Sequence, residues 1–181
     1  QIFREVNNAP GINASLANLG FLSLQNGQYS VSLDYYQQWF NYCQARPDPV
    51  GMAMACTGLA QILTALGQFG RARNYLNQAM TFFMAADDSY GKGRVQSLTG
   101  RTAYLSGDIT GALPFLLEAA QIPVSQKNIE SLLVANLTLG HIYTDQGKFN
   151  QASQAYNQAA LFADQSRDSH LLLEPAAAKA R

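Results

Sequence analysis

Charge is scarce in this 181-residue chain: 13% of residues are Asp, Glu, Lys or Arg, against about 25% in ordinary soluble domains. Twelve acidic and twelve basic side chains cancel, so no positive field is available for phosphate backbones, and nucleic acid is not an expected partner. Cysteine is nearly absent. Cys43 and Cys56 are too few to staple a fold of this size and suit a reducing compartment, so a cytoplasmic location is expected. No apolar run approaches the roughly 18 residues of a membrane helix, and the first residues lack the charged and apolar regions of a signal peptide. The two histidines, His141 and His170, stand in no Ser/His/Asp or Cys/His pattern, and Gly91-Lys92-Gly93 lacks the rest of a phosphate-loop fingerprint. Catalytic residues, a metal site and cofactors are therefore not expected, and the chain is read as a non-enzyme.

What is present is repetition. Gly27-Gln28-Tyr29-Ser30, Gly67-Gln68-Phe69-Gly70, Gly107-Asp108-Ile109-Thr110 and Gly147-Lys148-Phe149-Asn150 share one pattern at a constant step of 40. Glycine closes a helix by taking a left-handed backbone conformation, and the fourth residue (Ser30, Thr110, Asn150) is read as opening the next. Small residues stand seven before each turn glycine (Gly20, Ala60, Gly100, Gly140) and five after it (Ser32, Ala72, Ala112, Ala152). Such positions let paired helices approach closely. Asn8, Asp48, Asp88, Asn128 and Asp168 repeat in the same step and are read as N-caps.

Each unit is thus a pair of antiparallel helices. First helices are expected at about 9–26, 49–66, 89–106 and 129–146, and second helices at about 31–45, 71–86, 111–122 and 151–166. Pro114 is placed in a first turn, where a missing donor costs least, and Pro123 and Val124 are read as ending that helix. Trp39, where other repeats carry alanine, is expected to fill space left by Ser23 and Ser32, and both thiols are expected to be buried as small apolar groups.

Gly20 or Gly100 before a helical stretch, Gly-x-aromatic at the turn and the later alanines resemble the tetratricopeptide (TPR) repeat. The period here is 40 rather than the usual length of about 34. The long form, with Ala17-Asn18-Leu19-Gly20 after an N-cap, resembles the repeats of Pins-type adaptors and of bacterial multidomain TPR proteins. The resemblance implies an all-α, right-handed α-solenoid of antiparallel helix pairs. Four full repeats are expected at about 8–47, 48–87, 88–127 and 128–167, with partial helices at 1–7 and 168–181, in a single segment 1–181 cut from a longer protein.

The resemblance also implies a concave groove lined by the first helices. Positions at i, i+3, i+4 and i+7 place Asn18, Phe21 and Gln25 there, with Ala14, Ala17 and Leu24. Later repeats add Met54, Thr57, Gln61 and Thr64, then Arg94, Ser97, Arg101 and Tyr104, then Val134, Thr138, His141 and Asp145. His141 and Asp145, four apart on one face, are read as a groove-facing polar pair rather than metal ligands. The lining runs from apolar through neutral to basic and suits a protein or peptide with an apolar and an acidic segment. The expected function is protein–protein interaction within a larger scaffold or signalling protein, with further repeats or domains of the same chain as other possible partners. The alternative is a ligand-sensing, regulatory solenoid, which a closed apolar pocket rather than an open groove would favour.

Overall fold

The computed structural model describes residues 9–122 and 128–166, and among these every regular element is a helix. In chain order they are α1 (Ala9–Gln25), α2 (Tyr29–Gln44), α3 (Pro49–Ala65), α4 (Phe69–Ala85), α5 (Ser89–Leu105), α6 (Ile109–Ala120), α7 (Ile129–Asp145) and α8 (Phe149–Ser166). First and second helices each recur at the 40-residue step read from the turn glycines. Each first helix ends within one residue of its expected bound, whereas each second helix starts two residues early.

The turns explain the early starts. Gly27, Gly67, Gly107 and Gly147 have φ of 70°, 70°, 87° and 69°, a backbone region that disfavours any side chain. Two amides fold back onto the last turn of the helix: Gly27 N–H to the Leu24 carbonyl (3.0 Å) and Gln28 N–H to the Ser23 carbonyl (2.8 Å). The same pair of bonds closes the other three turns. One residue after glycine then serves as the N-cap, and the helix begins at the large residue that follows. Ser30, Gly70, Thr110 and Asn150 are therefore second residues of helices and not their caps. Of the N-caps Gln28, Gln68 and Asp108, Asp108 alone caps its helix through its side chain, accepting from Gly111 N–H at 2.8 Å.

The first helices start as read at two places. Asp48 accepts from Gly51 N–H (2.8 Å) and Asp88 from Gly91 N–H (3.0 Å). Asn128 occupies the N-cap position of α7, but its side chain takes no capping bond; it is fully buried where a Cβ on Gly93 would collide with it. Pro114 is the sixth residue of α6 rather than part of its first turn, so the amide that would bond to the Thr110 carbonyl is missing. Asn8, Pro123, Val124, Asp168, His170 and the helices read at 1–7 and 168–181 lie outside the described residues.

Two compact units divide the chain at Gly91 and Lys92. In the first, α1 to α4 pack in sequence around Ile12, Leu16, Tyr36, Trp39, Cys43, Ala55, Leu59 and Ile62. Trp39 is 5% exposed, with its ring 6.0 Å from that of Tyr36, so it fills core as expected. Tyr36 itself lies between Gly20 and Gly58, and Ser32 Oγ donates to the Gly20 carbonyl at 2.6 Å. Both thiols are buried and unbridged. Burial pushes each up to about 12, assisted at Cys43 by the charge of Asp48.

In the second unit, α7 packs against both α6 and α8. Ala112, Leu116 and Ala119 of α6 meet Ala135, Leu139 and Ile142 of α7. On the α8 side, Leu132, Leu133 and Leu137 meet Ala152, Tyr156, Ala159 and Phe162. Gly100 admits Leu116 and Gly140 admits Tyr156; a Cβ on Gly140 would lie 2.3 Å from the Tyr156 ring. Among the described residues, no helix is long and apolar enough to cross a membrane, and no three His, Cys, Asp or Glu side chains converge as metal ligands.

Candidate functional site

Each unit exposes part of the first-helix face read from the sequence. In the first unit Asn18, Phe21 and Gln25 on α1 are exposed, Phe21 by 41%, and Gln61 on α3 is half-buried. Thr57, expected on this face, is instead 1% exposed and donates to the Ala53 carbonyl at 2.8 Å. Ser97 and Thr138 of the second unit are likewise turned inward, bonded to the carbonyls of Arg94 and Val134. All three are short hydroxyl side chains that bond back to their own helix, which lets them be buried where the neighbouring helices pack.

In the second unit, Arg94, Arg101 and Tyr104 on α5 and His141 and Asp145 on α7 supply the polar row. Arg94 is half-buried and pairs with Glu130 of α7 at 3.4 Å, so its charge is met within the unit. Arg101, seven residues on, is exposed and makes no hydrogen bond or ion pair among the described residues.

Tyr104, His141 and Asp145 are brought together. The Tyr104 hydroxyl donates to Asp145 Oδ2 at 2.8 Å, and its ring lies nearly parallel to that of His141, 4° apart in plane with centroids at 6.3 Å. Burial, then the hydrogen bond to the Asp145 carboxylate and its charge, push the Tyr104 phenol up to about 12. From beneath, Tyr156 of α8 reaches through the space at Gly140. Its ring meets His141 edge-on, and its hydroxyl lies 3.1 Å from His141 Nδ1 and 3.2 Å from Thr144 Oγ1. Thr144 donates to the Gly140 carbonyl at 2.8 Å.

Glu130 and Thr144 lie on α7 outside the residues that spacing assigns to the groove, and Tyr156 lies on the second helix behind it. The signal for Tyr156 was present: Gly20 precedes Tyr36 by sixteen residues, and Gly140 precedes Tyr156 by the same interval. Chemically, the row offers a cation, a carboxylate and two aromatic faces at one surface, a set suited to recognition.

The Tetratricopeptide repeat family profile matches residues 53–82 and 133–164. Among curated proteins, the chain is similar to "Tetratricopeptide repeat protein 21B" of Xenopus laevis, 23% identical over 185 residues that cover 92% of this chain and 13% of that protein. Among solved structures, it resembles that of a Rap protein complexed with Competence and Sporulation Factor, with a TM-score of 0.76, 19% identity and coverage of 92% of this chain and 52% of that one. It also resembles BtubC (BKLC) from P. vanneervenii, with a TM-score of 0.66, 20% identity and coverage of 87% and 65%. These likenesses establish a shared all-α fold. The two profile matches, one in each unit, mark tetratricopeptide repeats within this chain, in keeping with its glycine-closed helix pairs at a constant step.

Proposed function

We propose that the chain is a protein–protein interaction module that binds a partner segment on its first-helix face, with the row Arg101, Tyr104, His141 and Asp145 as the recognition surface. The observation that carries this reading is the arrangement of that row. Tyr104 and Asp145 are held to each other and Tyr104 stacks on His141, so the row is ordered before any partner arrives. Arg101 beside it is exposed. Preformed polar and aromatic groups cost little entropy to engage, and such surfaces are where affinity concentrates. Arg94 contributes less than its charge suggests, because Glu130 neutralises it. The acidic feature expected of the partner therefore falls to Arg101. In the first unit, Phe21 is the candidate contact for an apolar segment.

Regulation by a bound factor is the second reading. It is favoured by the match to a Rap protein whose structure was solved with Competence and Sporulation Factor. In both readings the chain works by binding.

The test is affinity capture from the source lysate with wild type, Arg101→Glu and Tyr104→Ala, followed by titration of the captured partner. Arg101→Glu should weaken binding at least about tenfold, or 1.4 kcal/mol, and raised salt should weaken the wild type, because screening acts over about 8–10 Å. Arg94→Glu is unsuitable for this purpose, since it would set two carboxylates against each other at Glu130. Equal affinity of all three proteins would remove this face from the account.

A further inference from the structure

We propose that Tyr156 and Thr144 hold the His141 imidazole in its Nδ1–H form, so that His141 offers a hydrogen-bond acceptor to a partner on this face. The consequence for the partner rests on the interaction reading above; the tautomer does not. Three contacts must share three protons. Thr144 Oγ1 lies 2.8 Å from the Gly140 carbonyl, which can only accept, so the threonine proton is spent there. The Thr144–Tyr156 contact at 3.2 Å then needs its proton from the tyrosine, whose hydroxyl has one. With that proton committed, Tyr156 can only accept at its third contact, and His141 Nδ1 at 3.1 Å must be the donor. Any other assignment sets two lone pairs against each other in a part-buried cluster, where an unmade bond is costly.

The neutral ring consequently carries its lone pair on Nε2. An imidazole free in water favours the opposite form, with the proton on Nε2, so the cluster inverts the default. Tyr156 is thus a positioning residue for His141. It can reach the ring because Gly140 leaves the room, and the stacked Tyr104 restrains the imidazole on another side. Asp145, the neighbouring carboxylate on the same helix, is also an acceptor. Two acceptors side by side select a partner group rich in donors, such as an ammonium or guanidinium, next to the carbonyl or carboxylate that Arg101 takes. A partner with only an acidic feature would satisfy Arg101 and face repulsion at Asp145.

The experiment is long-range proton–nitrogen correlation of the 15N-labelled chain, with His170→Gln to leave His141 as the single histidine. At a pH where the ring is neutral, Nδ1 should appear as the protonated nitrogen and Nε2 as the bare one. Tyr156→Phe should return the ring to the Nε2–H form. Thr144→Val is the sharper variant: Tyr156 stays in place, but its proton, released from the threonine, is free to turn onto Nδ1 and displace the imidazole proton to Nε2. Tyr104→Phe, which breaks only the bond to Asp145, should leave the tautomer alone. A wild-type ring mainly in the Nε2–H form, or one unmoved by both Tyr156→Phe and Thr144→Val, overturns the proposal. Circular dichroism on each variant shows whether its fold persists. For the partner arm, N-acetyl-lysinamide and N-acetyl-glutamate are titrated separately. A His141 Nε2 signal that responds first to the lysine probe supports the acceptor assignment, and one that responds first to the glutamate probe overturns it. Silence with both probes, with the tautomer as stated, sinks the recognition reading and leaves the tautomer standing.

Discussion

The Tyr104 hydroxyl donates to Asp145 across 2.8 Å, joining α5 to α7 although the two residues are 41 apart in the chain. With first helices recurring every 40 residues, a side chain near the end of one is brought beside its counterpart in the next. The bond is exposed to water, which places its net worth at the low end of the range for hydrogen bonds. Tyr104→Phe should cost about 0.5–1 kcal/mol. Asp145→Asn keeps an acceptor and should cost less. A double-mutant cycle with Tyr104→Phe and Asp145→Ala, followed by urea unfolding, should give a coupling of at least about 0.5 kcal/mol. Strict additivity would show that the contact contributes nothing.

Much of this fold can be read directly from residue spacing, because a solenoid repeats its local solution. The glycine step predicts both helix series, and Asp48 and Asp88 cap where the step places them. What spacing could not supply was the identity of contacts between helices. Arg94 looks like a surface charge until Glu130 is found 3.4 Å away on the following first helix. The caps of the second helices stand two residues earlier than the spacing suggests, because the pair of hydrogen bonds that closes each glycine turn leaves one residue between glycine and helix. Of the site, Tyr104, His141 and Asp145 were legible as a face of two helices, whereas Tyr156 was not, since it enters from the helix behind.

Three aspartates hold helix starts in the same way, and each should be separable by truncation. Asp48→Ala, Asp88→Ala and Asp108→Ala each remove the acceptor for an amide N–H at 2.8–3.0 Å. Each should lower stability by about 0.5–2 kcal/mol in urea melts. Asp48 should fall at the upper end, because it also accepts from Asn13 Nδ2 of α1 at 3.1 Å. A smaller loss at Asp48 than at Asp108 would mean that the Asn13 bond adds nothing.

Alkaline pH should lower the stability of the fold. Cys43 and Cys56 rise from 9.0 to about 12, and Tyr104 from 10.0 to about 12. In each case the folded state keeps a proton that the unfolded chain releases sooner. The unfolded state therefore binds fewer protons above pH about 9, and stability falls as pH rises from there towards about 12. Below that window these groups leave stability flat. Iodoacetamide at pH 8 should modify neither thiol in the native protein and both in urea, as read by mass spectrometry. Rapid native labelling of either cysteine would contradict the burial described here.

Two glycines in helices should respond to alanine with opposite signs. Ordinarily Gly→Ala within a helix gains up to about 1 kcal/mol from reduced backbone freedom. Gly70, the second residue of α4, has no neighbouring atom within 4 Å of an added Cβ. Gly70→Ala should therefore stabilise by a few tenths to about 1 kcal/mol. At Gly58 the added carbon would lie 2.1 Å from Tyr36 Cε1, well inside contact distance. The ring has little room to retreat, because Tyr36 is packed between Gly20 and Gly58 and is 5% exposed. Overpacking of this kind costs about 1–3 kcal/mol, which outweighs the propensity gain, so Gly58→Ala should be net destabilising. The check is the shift in urea midpoint at unchanged slope for both variants, with Tyr36→Phe added to Gly58→Ala as a control that leaves the clash in place. Stabilisation by both alanines would mean that Tyr36 has room to move, and that the packing between α2 and α3 is looser than these distances imply.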